Sequence, residues 1–447
     1  MTTTATAPAG RGFGRGLGRE FNLLWLGQSV SNVGDKINVF VVPTIMILLL
    51  HASAFQVGLV GMAQYLAIPL LSLVAGVLVD RWTLRYTLIW CDVIRCVVIA
   101  VIPIAWWLGL LSVPVIFFCV AVANATSVFF NIGYTATISA IVPTDGRVKA
   151  YSQMESSRTV SEVVGPAIAS GLYQLMGTAS LLVDAASFLF SAGNIRAMAP
   201  YGVQKVRKDP MWTRLKAGVR LNWQDPVLRG TVLGTTLLNM GGPIFVTVLP
   251  ILAYRGLNLS VGTLGTVMSV AAVAAVIGAL VAQRVSKFLG PARLMPWSVF
   301  LHCLVGLGIL AAPALPSAVV LGATLSFYGL FMVWYNVSTA AVRQARVNPA
   351  DQAVSHAAFR TVTWGVIPFA ALLGGVLVQV LTPHFGVLNA AKITMVGGTL
   401  IGVLFAWIPE APTQARLDRE RASAEAAASA KAGAGAEAPA TDPVRAS

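Results

Sequence analysis

The stretch Gly76-Val-Leu-Val-Asp80-Arg81-Trp-Thr-Leu-Arg85 sits where one long apolar run stops and the next begins. A glycine is followed four residues on by an aspartate, then directly by an arginine, and four residues further by a second arginine. The chain of 447 residues is 56% hydrophobic and only 11% charged. In so apolar a sequence this knot of charge fits a short loop between two membrane helices. Soluble domains carry about 25% charged residues, so composition points to an all-α polytopic membrane protein.

The formal net charge of +14 would suggest nucleic acid in a soluble protein. Here basic loops facing cytoplasm and anionic lipid account for it, and nucleic acid is not an expected partner. Cys91, Cys96, Cys119 and Cys303 lie in apolar runs without metal-ligand spacing and read as small buried hydrophobes. No cleaved leader is expected. The first 20 residues are polar, and the apolar run behind them is long and carries Asp35-Lys36. The sequence holds no H-E-x-x-H or P-loop and only four histidines. Neither an enzyme, nor a metal site, nor a cofactor is expected.

A spanning helix takes about 20 predominantly apolar residues. That ruler gives twelve spans, at roughly 21–50, 54–79, 86–109, 113–142, 150–176, 178–199, 229–253, 259–283, 293–312, 316–342, 351–381 and 386–408. Residues 200–228 hold Lys205, Arg207, Lys208, Arg214, Lys216 and Arg220, with Trp212 and Trp223 among them. That mixture suits an amphipathic helix lying on the membrane face. It separates a six-span bundle at 21–199 from a second at 229–410, flanked by an arm at 1–20 and a tail at 411–447. The tail is rich in alanine and charge, has no apolar face to bury, and is expected to be disordered. Basic residues collect in loops after even-numbered spans, such as Arg81 and Arg85, Arg284 and Lys287; Arg255 is the exception. The positive-inside rule therefore places both termini in the cytoplasm, in a multi-pass protein of the cell's inner (plasma) membrane.

The two halves repeat. Gly278-Ala-Leu-Val lies 202 positions after Gly76-Val-Leu-Val, and Arg360-Thr-Val lies 202 positions after Arg158-Thr-Val. Both arginines are followed eight residues on by a proline, Pro166 and Pro368. A parallel six-plus-six repeat is the internal symmetry of one large class of carriers. At the positions of Asp80 and Arg81 the second copy has Ala282 and Gln283, so the charged knot survives in one half only.

With the repeat in place, the G-x-x-x-D-R-x-x-x-R stretch resembles the cytoplasmic loop signature between helices 2 and 3 of the major facilitator superfamily (MFS). The resemblance covers residues 20–410 and implies twelve helices in two six-helix halves. It implies a gating role for Gly76, Asp80, Arg81 and Arg85: Asp80 accepts hydrogen bonds from the N-terminus of helix 11 in one state and releases it in the other. Plain loop charge is the other reading of these residues. Leu24-Trp25-Leu26-Gly27-Gln28 with Ser31, Gly34 and Asp35 looks like the opening of the macrolide-efflux and siderophore-exporter branch. Gly165-Pro166 with Gly171 partly matches the helix-5 signature of MFS antiporters, but Ala169-Ser170 stand where paired glycines belong. An ordinary proline-kinked packing face is its other reading.

Asp35 lies about 14 residues into the first span, ~20 Å along its axis at ~1.5 Å per residue. A carboxylate at that depth is costly and usually functional, and proton coupling is its expected role. An Asp–Lys pair snorkelling to the outer interface is the alternative. Glu162 lies at a similar depth in the fifth span and is the second candidate for proton coupling. With Glu155 and Arg158 it also forms one face at i, i+3 and i, i+4, as a plain ion-pair ladder would. His356 and Arg360 are i, i+4 partners in the eleventh span, facing the cavity or pairing across the halves. Asp92 and Arg95 read as partners of the 76–85 knot.

Asn131, Tyr134, Asn239, Trp334 and Asn336 are candidates for lining a substrate cavity, or they satisfy contacts between helices. The residues alone lead to a two-fold repeated carrier with intramembrane carboxylates. The resemblance extends this to a monomeric, proton-driven antiporter exporting small amphiphilic molecules by alternating access, with protons and the lipid bilayer as its other partners. Uptake symport, or lipid movement on the same fold, is the alternative.

Overall fold

The computed structural model describes residues 17–79, 81–200, 211–348 and 351–436. In lipid every backbone N–H and C=O must be satisfied internally, so apolar runs of this length become helices. Among the described residues there are thirteen α-helices: α1 Arg19–Leu48, α2 Ala54–Val79, α3 Leu84–Trp107, α4 Val113–Ile141, α5 Arg147–Met176, α6 Ser180–Ala197, α7 Met211–Gln224, α8 Pro226–Ile251, α9 Val261–Leu289, α10 Pro291–Gly306, α11 Ser317–Arg346, α12 Gln352–Trp364 and α13 Ile367–Ala436.

Nine stretches of them are long and apolar enough to cross a bilayer. Two, of 54 and 48 residues, each hold two crossings. Their reversals fall at Gly177 (φ 58°) and Gly386 (φ 73°), left-handed positions that glycine occupies without a Cβ penalty. With α1, whose Asp35 and Lys36 lower its apolarity, the described helices trace the twelve crossings of the expected all-α fold.

The eleventh crossing is not one helix. It breaks at Gly365-Val366, between α12 and α13. Pro368 has no N–H to donate back across that turn, and its ring disfavours helical geometry just before it. The twelfth crossing continues without interruption into the tail, and α13 is helical to Ala436. This differs from the disorder expected there. Alanine has the highest helix propensity, and a helix propagates readily from a turn already formed.

Within the first half α1 packs on α5 and α6, and α3 on α4 and α6. Within the second, α8 packs on α13 and α9 on α11. The halves meet through α5 with α9 and through α2 with α13. Helix α7 carries the exposed Trp212, Val219 and Trp223 expected of an interfacial helix. Its other face docks on α12. The Asn222 amide donates to the Ser355 carbonyl at 2.9 Å, and a Cβ on Gly218 would lie 2.8 Å from the Ala358 Cβ.

Candidate transport pathway

The halves are closed against each other at one end and parted at the other. At the closed end the Thr44 hydroxyl of α1 and the Tyr254 hydroxyl are 3.0 Å apart. Arg255 donates to the Ile47 carbonyl at 3.4 Å. A Cβ on Gly58 of α2 would lie 2.9 Å from the Gly375 Cα of α13. A Cβ on Gly265 of α9 would lie 2.9 Å from the Pro166 carbonyl of α5 and would strike the Ser170 side chain. The helices touch backbone to backbone because these positions lack side chains. The small-residue requirement read on α5 is thus met from the facing helix, with Ser170 filling the space that Gly265 leaves. Gly165 has a different job: the Lys36 side chain lies over it. A Cβ added at Gly171 would meet nothing within 4 Å.

The open end is the one bearing the basic loops. There a cavity of about 910 Å³ lies between the halves. Its walls include Glu155 and Arg158 from α5, Asn336, Thr339 and Arg343 from α11, and His356, Arg360 and Trp364 from α12. Deeper in, α1, α2, α8, α9 and α11 enclose a second cavity of about 330 Å³. Its lining is mainly apolar, with Phe40, Pro43, Met46, Pro243 and Met268. Gln64, Tyr65, Asn239, Thr247 and Tyr328 supply a few polar groups. The Tyr328 hydroxyl is buried without a hydrogen-bond partner, and its ring stacks on Phe245 at 4.6 Å. An apolar pocket with few polar groups suits an amphiphilic ligand.

The five cavity candidates separate in the structure. Asn239 lines the deep cavity, its amide donating to the Thr363 carbonyl at 2.8 Å. Asn336 lines the wide one. Trp334 ties α11 to α9, its indole N–H donating to the Gly278 carbonyl at 3.0 Å. Tyr134 stacks on Phe130 at 6.1 Å. Neither it nor Asn131 lines either cavity.

The charged groups of the first half form two clusters, separated by the 100° turn between Asp35 and Lys36. Lys36 faces α5, with its Nζ 3.6 Å from Glu162 Oε1. Arg158 Nη1 holds the same glutamate oxygen at 2.5 Å and takes Glu155 with its other nitrogens, at 2.5 and 3.0 Å. The expected ladder is present, and Lys36 extends it. Asp35 faces the bundle interior, within electrostatic reach of Arg95, Asp92 and Asp184. Asp92 and Asp184 are 0% exposed and Arg95 is 3% exposed. Arg95 is ion-paired with Asp92 and lies 4.3 Å over the rings of both Phe130 and Phe188. Among the described residues Asp184 has no direct ion pair, and the Asn38 side chain is its neighbouring donor.

Three acids thus share one guanidinium inside the bundle. Among the described residues Asp92 and Arg95 pair with each other, projecting inward from α3 against α4 and α6. Asp184, near the outer end of the sixth span, reads from the sequence as a structural charge only; the span that carries it packs on the helix of Asp35, a proximity no spacing encodes.

Of the knot itself, Asp80 lies outside the described residues. Arg81 is exposed. Arg85 donates to the Arg196 carbonyl at the end of α6, capping a helix C-terminus where a cation is favoured.

At the basic end α11 is tied to its surroundings through Arg346. It donates to Asp225 at 2.9 Å and to Glu420 of α13 at 2.6 and 3.2 Å. Burial pushes the Asp225 carboxyl up, but Arg346 and the Val227 and Leu228 amides outweigh it and hold the group below the ordinary carboxylate range. The hydrogen bonds from Arg346 hold Glu420 down as well.

Residues 24–369 match the family described as the Major Facilitator Superfamily. The chain belongs to that family, whose members of this architecture are secondary active transporters rather than enzymes. No curated protein matches it in sequence. Among solved structures it is similar to the nucleoside transporter NupG, at TM-score 0.70 and 14% identity over 88% of this chain and 98% of that one. It is similar to a bacterial homologue of the human lysosomal transporter Spinster, inward-facing and unoccupied, at 0.66 and 14% over 88% and 95%. A bacterial homologue of the iron transporter ferroportin matches at 0.65 and 15% in its inward-facing state, over 88% and 100%. The outward-facing state of that homologue matches at 0.57 and 16%, over 89% and 99%. The fold is that of a secondary carrier.

Proposed function

We propose that the chain is a proton-coupled carrier of a small amphiphilic solute, with the basic end in the cytoplasm, so that the form described is open inward. One observation carries this reading. A cavity open at the basic end leads to an apolar pocket between the halves, beside a bundle that holds buried carboxylates. Alternation would require the Gly58–Gly375 and Gly265–Ser170 contacts to part and the cytoplasmic cavity to close. The Gly76–Arg85 segment would then latch the cytoplasmic side.

Asp35 is the coupling acid in this scheme. Glu162 is already ion-paired with Arg158 and Lys36. Uptake by symport is put first among the directions. The α5 segment departs from the antiporter pattern at Ala169-Ser170, and one similar structure is that of a nucleoside transporter. Export of a drug, macrolide or siderophore is the second reading and rests on the opening of the first helix. Lipid movement is the third.

Vesicles of both orientations carrying an internal pH dye decide between them. Solute-dependent proton entry into right-side-out vesicles is expected for symport. Solute-triggered proton release from energised everted vesicles would move the assignment to export. Asp35→Asn should abolish either signal while the protein stays in the membrane. Full coupled flux in that variant would sink Asp35 as the coupling group.

A further inference from the structure

The repeat that relates the two halves treats its arginines unequally. Arg158 is held by Glu155 and Glu162. At the corresponding positions, 202 residues on, the second half has Ala357 and Trp364 around Arg360. Both acids are gone. The Arg360 guanidinium lies 4.0 Å over the Trp364 ring instead, exposed to the wide cavity.

Arg343 stands on the same wall. It is 7% exposed, its Nε is buried without a partner, and its carbon centre lies 3.6 Å over the Phe359 ring. Its polar partners among the described residues are the Ser355 carbonyl and hydroxyl, at 3.3 and 3.4 Å. Among the described residues no acid is ion-paired with either arginine. Of the described residues the only carboxylate lining the cavity, that of Glu155, is on the opposite wall and taken by Arg158.

A buried guanidinium without a counter-charge is costly, and here the buried Arg343 and the exposed Arg360 line one open chamber, with His356 between them in sequence. We propose that Arg343 and Arg360 form an anion subsite that receives a carboxylate or phosphate group of the transported amphiphile. The Phe359 and Trp364 faces would supply flat apolar contact beside it. A planar guanidinium binds either group through paired N–H donors. This deepens the carrier reading and rests on it: the solute becomes an anionic amphiphile, in contrast to the neutral or cationic drugs that an exporter of macrolides would take.

The test is equilibrium binding to the full chain in phosphatidylcholine nanodiscs, followed by tryptophan fluorescence. The probes are naphthalene-2-carboxylate, naphthyl phosphate and, as the uncharged control, naphthalene-2-carboxamide. A charge-assisted contact predicts that both anions bind at least about tenfold tighter than the amide. Arg360→Gln, at an exposed position that tolerates substitution, should erase that preference while amide binding stays within about twofold. Equal binding of all three probes, or a preference retained in Arg360→Gln, overturns the subsite. Repeating the titration with phosphatidylglycerol in the nanodisc separates two sources of the anion. Competition at the site supports it as a seat for a lipid phosphate, and undiminished binding supports a soluble anion. Binding is measured without a gradient, so intact anion preference in a protein that fails the proton-flux assay would refute the carrier reading and spare the subsite.

Discussion

Asp35, Asp92, Asp184 and Arg95 show how unevenly a buried charge cluster responds to substitution. Arg95 is the cation within reach of all three acids. Removing it leaves buried carboxylates uncompensated, a loss of roughly 3–5 kcal/mol in buried pairs. Asp184, whose neighbouring donor is the neutral Asn38 amide, contributes charge without a direct ion pair among the described residues. Arg95→Gln is therefore expected to lower the thermal unfolding temperature in detergent sharply, and Asp184→Asn to leave it unchanged or raise it. The opposite order would mean that Asp184 holds a cation or proton that fixes the fold. None of the three partners of Arg95 was legible as such in the sequence beyond Asp92 at i−3. Helical spacing ties residues on one helix, and the other acids arrive from α1 and α6.

At the scale of elements, two contacts lend themselves to measurement. Gly265 lets α9 touch α5 at the closed end, and any larger residue must push the helices apart. Gly265→Val is expected to destabilise this closed contact by ~1–3 kcal/mol, shifting the carrier towards the alternative state. Accessibility of a single cysteine at Asn336, probed from the side of the basic loops, should fall accordingly. Unchanged labelling would show that the α5–α9 contact persists through the cycle.

The second contact is the tie of α11 to Asp225 and Glu420 through Arg346. Both carboxyl groups are held low in the folded form, so each favours the fold once ionised. The stabilisation is complete above the ordinary carboxylate range, near ~4, and is lost as pH falls through the depressed values. A spin-label distance between Gln224→Cys and Ser423→Cys should therefore stay constant from neutral pH down to about 5 and lengthen on further acidification. Arg346→Gln should lengthen it at neutral pH. An unchanged distance in that variant would show that the helical tail is held by other contacts.

For the whole molecule, alternation between two states is the property that matters, and the structure presents one of them. Cysteines placed at Thr339 and Gln344, in the wide cavity, should react with a membrane-impermeant thiol reagent only from the side of the basic loops. A cysteine at Ser170, packed against Gly265 at the closed end, should be protected from both sides until solute and a proton gradient are supplied. Labelling of the 339 and 344 positions from the opposite side would invert the assigned orientation.

The sequence by itself determined the class of fold and its two-fold order. Apolar length dictates a crossing because a bilayer offers the backbone no other hydrogen-bond partner, and the offset of 202 residues ties Gly76 to Gly278 and Arg158 to Arg360. It also placed Asp35 at depth and the Glu155–Arg158–Glu162 ladder on one face, since both follow from helical rise and period. Tertiary structure decided the rest. It turned Asp35 towards Asp184 and Lys36 towards Glu162, joined Gly58 to Gly375 across the halves, and left Arg343 and Arg360 facing a chamber with no acid beside them. Such neighbours are set by how whole helices tilt and meet, through contacts between residues hundreds of positions apart. No local pattern in the chain encodes that distance.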